Sequence, residues 1–369
     1  MSLRTGIVNL LTNHAKLLAS NPIAQFYVGA FQTETTPDDT FATHTVTSDG
    51  TFTLNCPFPV LKNDSRTDDP RLIKADILTP PEAKRLETNT KRLLTLTDLA
   101  AGKFECEVAL RSSLPDHTLD KLEDFSRGKL DTASLHLKGF PVCPQTDQLL
   151  LGTGQILGTC YVETSESDRI VQHISPKDTD ATLQKSSSSK VPLYMHVENV
   201  GTQRVPDWVG IFCERNYERA HTTIVNPVDA MNQMLRDGLI DEVACLWEHE
   251  YWIQTPASFG EGRKRTYGHG VFSGDIARPN VTADFADMGS NSTDHANAFE
   301  LFREYCQERA ASVCLSPGDI LFMRNTGPKD STQNHTQCMH GRGQFEPHNA
   351  IELQRLLKRV FIEDRILSV

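Results

Sequence analysis

The chain has no CxxC pair, although it carries nine cysteines, at positions 56, 106, 143, 160, 213, 245, 306, 314 and 338. That scatter excludes a zinc ribbon and a thioredoxin-type motif, and an odd, irregular set reads as reduced thiols in a cytoplasmic protein. Long apolar runs are missing as well: no stretch approaches the ~20 residues that a membrane span needs. The opening MSLRTGIVNLLTNHAKLLASNP has one early arginine and a broken apolar pattern, so no secretory signal is expected. Basic residues are in deficit, 37 Lys and Arg against 48 Asp and Glu, for a net charge of −11. With no basic run to offset that balance, nucleic acid is not an expected partner. No internal repeat is visible.

What is present is the composition of an ordinary globular protein, 38% hydrophobic and 23% charged. Residues 4 to 20 carry a helical stripe, and FATHTVTSDGTFTLNCPF alternates around an Asp-Gly, the pattern of a β-hairpin. Residues 1–75 are read as an N-terminal extension packed on a main domain, 76–369. That domain begins with a helix start in LTPPEAKRL, where Thr79 is a candidate N-cap ahead of two prolines and Glu82. LHLKGFPV, VPLYMHVENV, DWVGIFCERN, HTTIVNP and SPGDILFMRN read as strands. DHANAFELFREYCQERAASV reads as a helix, and residues 243 to 290 as mixed and strand-rich. QLLLGTGQILG fits helix or strand, and IELQRLLKRVFIED is helical by residue type although RVFI suits a terminal strand. The serine run 186–189 reads as a flexible loop. The expected fold is mainly β with flanking helices, a jelly-roll-like double sheet.

Within VPLYMHVENV, His196 and Glu198 are two apart, so on a strand both side chains point to one face. One further histidine would complete two histidines and a carboxylate with open positions opposite, the ligand geometry of non-haem Fe(II) sites. The C-terminal third offers His335, His340 and His348. Downstream, Arg355 and Arg359 lie four apart, and the planar fork of an arginine suits the far carboxylate of a dicarboxylic acid.

In order along the chain, LTPPEAKRL, LHLKGFPV, the HxE, PDWVGIFCERN, HTTIV, SGD at 273–275, SPGDILF, HGRxxF at 340–345 and RxxxR at 355 and 359 resemble the clavaminate synthase-like (TauD-like) Fe(II)/2-oxoglutarate oxygenases, in the branch that hydroxylates amino acids. The resemblance covers roughly residues 75–365 and implies a double-stranded β-helix. It departs in residues 1–75, in a longer loop between Asn325 and His340, in Val197 where threonine is more familiar, and in IARPN where an acidic cluster usually follows Gly-Asp.

The resemblance implies iron held by His196, Glu198 and His340, with His335 as a rival for the last. It places Arg355, fifteen positions after His340, on the C5 carboxylate of 2-oxoglutarate, supported by Thr223 or its neighbour Thr222. It assigns the substrate's carboxylate to Arg359 and further substrate contacts to Ser189 and Asp275. Plainer readings stand beside these: a strand threonine at 223, a loop serine at 189, a turn aspartate at 275 and a solvated partner of Glu352 or Glu363 at Arg359. The implied activity is hydroxylation of an unactivated C–H bond of a free amino acid or amino-acid derivative, with Fe(II), 2-oxoglutarate and O2, releasing succinate and carbon dioxide. Desaturation or ring closure would use the same ligands, and a cupin-type dioxygenase or a silent jelly-roll domain would retain the fold without this chemistry. Glu198 speaks against halogenation, which needs the carboxylate ligand missing.

Overall fold

In the computed structural model, residues 3–20, 43–46, 52–55, 72–255, 264–327 and 336–365 are described. In chain order the first strands are β1 (Thr43–Val46), β2 (Phe52–Asn55), β3 (Ile73–Ile77), β4 (Ser134–Lys138), β5 (Thr159–Tyr161) and β6 (Gln172–Ile174). There follow β7 (Leu193–His196), β8 (Trp208–Arg215), β9 (His221–Val225), β10 (Tyr251–Gln254), β11 (Arg265–His269) and β12 (Phe272–Asp275). The last are β13 (Arg278–Val281), β14 (Met288–Ser290), β15 (Ala311–Cys314), β16 (Ile320–Arg324), β17 (Met339–Arg342) and β18 (Leu356–Glu363).

Two sheets organise the molecule. The larger runs β3-β4-β16-β8-β18-β5, with β6 also on β18, and is antiparallel except for the β3/β4 pair. The smaller runs β15-β9-β17-β7. Strand alternation divides the side chains of β8 cleanly. Trp208 and Phe212 turn to a layer of helices, while Val209, Ile211 and Cys213 share a buried cluster with Ile224, Ala311 and Val313 of the smaller sheet. The two sheets therefore pack face to face through that shared cluster, and the protein is mainly β with flanking helices.

Helices Pro80–Thr90, Lys103–Arg111, Asp116–Ser126 and Thr146–Leu157 cover the outer face of the larger sheet. The first starts as its sequence predicts: the Glu82 carboxylate accepts from the Thr79 N–H at 2.8 Å and from its hydroxyl at 2.7 Å. QLLLGTGQILG belongs to the helix Thr146–Leu157, buried along its whole length between neighbouring helices and β18. Helices Leu3–Ser20, Pro227–Arg236, Ile240–Trp247 and Thr293–Arg309 pack with β10, β12, β13 and β14 against the outside of the smaller sheet. Leu11 of the first of these is fully buried there, and His14 meets Asn232 at 3.1 Å. The hairpin expected near residue 50 is present as β1 paired with β2, although its Asp-Gly lies outside the described residues.

Two elements depart from their residue-type preference. The helix from Thr293 stops at Arg309, and Ala311–Cys314 leaves it to pair with β9. IELQRLLKRVFIED is not helical over its second half: β18 is hydrogen-bonded to β8 on one side and to β5 and β6 on the other. Pairing on both edges and burial of Val360, Phe361 and Ile362 outweigh the helix preference of Leu, Lys and Arg, which amounts to only tenths of a kcal/mol per residue. The consequence reaches the site. Leu357, Arg359 and Phe361 turn toward the smaller sheet. Lys358 turns away, to Asp147 and Glu214 at 2.7 Å each.

Candidate metal centre

β7 and β17 are neighbours in the smaller sheet, and their register sets His340 directly opposite His196. Opposed residues on adjacent antiparallel strands have their Cβ atoms about 5 Å apart. The two imidazole centroids are accordingly 4.6 Å apart. Glu198 lies just past the end of β7, and its Oε2 is 3.2 Å from His340 Nε2 and 3.9 Å from His196 Nε2. One ligand atom from each of the three falls within 4.8 Å of the others, and this is the only such group among the described residues. His335 lies outside them, and His348 is exposed on a loop, where its Nδ1 accepts from the Ala350 N–H.

Each ligand is held by something else. The Tyr194 carbonyl is 2.7 Å from His196 Nδ1; a carbonyl only accepts, so Nδ1 carries a proton and Nε2 is the nitrogen that faces the cluster. Because β7 ends at His196, strand pairing does not hold Glu198. The Asn325 side chain does so instead, accepting from the Glu198 N–H at 2.6 Å and donating to its carbonyl at 3.1 Å and to the Pro206 carbonyl at 2.8 Å. Asn325→Ala would leave these buried groups unpaired. It is expected to cost about 2 kcal/mol or more of stability, read as a lower midpoint of thermal unfolding, with weaker metal retention. Gly341 follows from the same crowding: a Cβ there would lie 2.6 Å from the Leu193 carbonyl oxygen.

Burial on its own would raise the Glu198 carboxyl, but the charge of Arg359 and the hydrogen bonds of both histidines hold it well below the usual carboxylate range. Burial also opposes protonation of His196; Glu198 and Asp284 outweigh it and push the imidazole up to about 9. Burial and the neighbouring His196 charge turn His340 the other way, downward. Two neutral-capable imidazoles and an ionised carboxylate converging without a fourth ligand match the donor set of a divalent transition metal with open positions.

The cavity over this cluster receives Arg355 and Arg359 from the end and the interior of β18; four apart on a strand, they share one face. Arg355 is 5% exposed, its Nε has no partner among the described residues, and burial lowers its guanidinium to about 10. A buried cation in this condition is completed by an anion. Arg359 differs. Its guanidinium donates to Glu198 Oε1 at 3.0 Å, to Gln172 at 2.9 Å and to Glu166. Burial would lower it, but the charges of Glu166 and Glu198 outweigh that and raise it. Glu352 and Glu363 are not its partners; Glu363 pairs with Arg204 at 2.6 Å.

Three other residues singled out from the sequence sit elsewhere. On β9 the partner of Arg342 is Thr222 and the partner of Gly341 is Thr223. Opposed residues share a face, so Thr222 lines the cavity beside Arg342, and Thr223 is on the reverse of the strand. Ser189 is buried but does not line the cavity: its carbonyl accepts from the Phe345 N–H at 2.9 Å, and Ser186 of the same run is the lining serine. The run is an ordered loop rather than a flexible one, closed by Lys190 N–H to the Ala181 carbonyl and by Ser187 Oγ to Asp180, at 2.9 and 2.6 Å. Asp275 is exposed in the β12/β13 turn and accepts from the Ala277 N–H at 3.0 Å.

Besides Glu198, the acidic groups of the cavity are Glu166, Asp284 and Asp287. None was singled out by pattern. Asp284 arrives because residues 283–285 run alongside β7, with Val197 N–H to the Ala283 carbonyl at 2.8 Å and a bridge between His196 and Asp284. The acidic pair in DFADMG was the available signal, and only this pairing gives it meaning.

Compared with models of known protein families, the chain matches none. An L-lysine 3-hydroxylase from Catenulispora acidiphila is 25% identical over 340 residues, covering 82% of this chain and 90% of that protein. The chain is thus similar in sequence to an amino-acid hydroxylase. Among solved structures, asparagine oxygenase in complex with Fe(II), 2S,3S-3-hydroxyasparagine and succinate superposes with a TM-score of 0.68 at 22% identity, over 78% of this chain and 93% of that one. The non-haem iron oxygenase OrfP in complex with Fe and alpha-ketoglutaric acid gives 0.64 at 19%, over 79% and 95%. These likenesses agree with the mainly β architecture that carries the histidine–glutamate–histidine cluster. Among the described residues, no helix is long and apolar enough to cross a membrane.

Proposed function

We propose that the protein is an Fe(II)/2-oxoglutarate-dependent dioxygenase that hydroxylates a free amino acid on the inner side of a jelly-roll fold. The observation that carries this reading is the convergence of His196, Glu198 and His340 within 4.8 Å beside a buried arginine whose Nε has no partner. His196 and His340 would hold the metal through Nε2 and Glu198 through a carboxylate oxygen. Iron together with 2-oxoglutarate and O2 supplies the oxidation, the cosubstrate leaving as succinate and carbon dioxide. Arg355 fixes the cosubstrate's far carboxylate by a two-pronged charge-assisted contact, and Thr222 is the hydroxyl at hand on that face. Arg359 takes the amino acid's carboxylate, and the apolar side chains Ile174, Ile211 and Leu357 keep water from the reacting carbon. A cupin-type dioxygenase has no use for the carboxylate clamp.

Asp284 and Asp287 favour one refinement, a substrate with a cationic side chain. The related lysine 3-hydroxylase and the complex of OrfP with (3S)-hydroxy-L-Arg agree with it. Two measurements test the proposal. Anaerobic Fe(II) with 2-oxoglutarate is expected to give a weak visible charge-transfer band, and its absence from folded, iron-loaded protein would reject the cosubstrate. A succinate-release screen over free amino acids, with product mass read for addition of one oxygen, is expected to select basic side chains. Turnover confined to asparagine or neutral side chains would reject the refinement and leave the oxygenase reading standing.

A further inference from the structure

Arg342 is a buried arginine that the mechanism above does not use. It stands two residues past His340 on β17, so both side chains face the cavity. Among the described residues it forms no ion pair. Its Nη atoms donate instead to a single loop: to the carbonyls of Ser188 and of Val191 (3.1 Å), and to Ser188 Oγ at 2.8 Å. That loop supplies Gln184, Lys185 and Ser186 to the cavity wall. The strand that carries a metal ligand is thus tied directly to the loop that closes the substrate space.

The Nε of Arg342 is buried without a partner, as is that of Arg355. Both guanidiniums stand against one ring, Phe345, at 5.0 and 5.6 Å from its centroid, and the Phe345 N–H donates to the Ser189 carbonyl of the same loop. Two buried cations around one ring repel each other. A dianion arriving at Arg355 removes that repulsion.

We propose that Arg342 is a positioning residue that fastens the 181–191 loop as a wall of the active site, and that 2-oxoglutarate at Arg355 tightens the fastening, so that the cosubstrate completes the pocket for the amino acid. The second half rests on the functional reading above. Lys185 and Lys190 lie within the loop and are trypsin sites, so its opening can be read directly by mass spectrometry of the fragments. The experiment uses the full chain loaded with Mn(II), which binds the cosubstrate without turnover, and measures cleavage after these lysines with and without 2-oxoglutarate. Cosubstrate binding is read in parallel by equilibrium dialysis.

In the wild type, cosubstrate is expected to slow loop cleavage about tenfold, in line with cleavage that tracks the open population. Arg342→Lys and the milder Ser188→Ala are expected to be cut several-fold faster without ligand and to lose most of the protection. Arg355→Gln removes the same repulsion, so it is expected to be cut more slowly than ligand-free wild type and to lose the cosubstrate effect. Arg342 and Ser188 variants cut no faster than wild type overturn the fastening. Unchanged cleavage of wild type with cosubstrate demonstrably bound overturns the coupling. If dialysis finds no cosubstrate bound, the functional reading falls together with the coupling, while the ligand-free comparison still decides the fastening.

Discussion

His340→Ala is expected to remove metal binding and with it all turnover. The remaining pair, His196 and Glu198, would present an open edge where β17 now supplies the third ligand. Partners of metal ligands alone typically account for ~10–100-fold in affinity, so loss of a ligand itself is expected to exceed ~100-fold. The measurement is a Co(II) titration followed by visible absorption, which needs no substrate and no oxygen. Retention of Co(II) with wild-type affinity would transfer the role to another group, and His335 in the longer loop is the one to substitute next. The fold should survive the change: His340 occupies a strand position whose backbone bonds to β7 and β9 do not involve the imidazole.

Arg355→Gln is expected to weaken 2-oxoglutarate binding about 100-fold, or ~3 kcal/mol, the usual cost of truncating one side of a buried charge pair. Metal affinity should hardly move, because Arg355 touches none of the three ligands. Its backbone N–H donates to Glu218 Oε1 at 2.9 Å, and that bond remains in the variant, which loses only the guanidinium's contact with the Phe345 ring. A second consequence has the opposite sign. Without cosubstrate the wild type keeps a buried guanidinium that forms no ion pair among the described residues, with Glu218 as the acidic group acting on it, which is unfavourable. The variant is therefore expected to unfold at the same temperature as wild type or higher when no ligand is added, and wild type is expected to gain more from 2-oxoglutarate. Equal cosubstrate affinity in the two proteins would mean that Arg355 is not the clamp.

These two predictions also separate what local text carried from what it did not. HxE and the RxxxR pair are legible from residue type and a short spacing, while the choice of His340 among three histidines comes from the resemblance of HGRxxF. An alternation of two put His196 and Glu198 on one face in the sequence; β7 ends at His196, and Asn325 holds Glu198 beside it. A spacing of four puts Arg355 and Arg359 on one face of β18, even though residue type alone leaned toward a helix there. The residues that support them were not legible in the same way. Asn325 acts on Glu198 across 127 positions of sequence, and Arg342 on Ser188 across 154. No local pattern encodes such contacts.

The sequence by itself supplied the mainly β class and, through side-chain chemistry, short spacings and the family resemblance, the candidate ligands and the two arginines. Tertiary structure decided the rest. The β9/β17 register chose Thr222 over Thr223 for the cavity face, since a shift of one residue reverses every side chain. The run of residues 283–285 beside β7 brought Asp284 and Asp287 to the site and left Asp275 in an exposed turn. The serine run that reads as flexible is an ordered loop, held by bonds to Ala181, Asp180 and Arg342. In each case the deciding quantity was which strand or loop lay alongside which, and that is set by burial of the shared core between the two sheets.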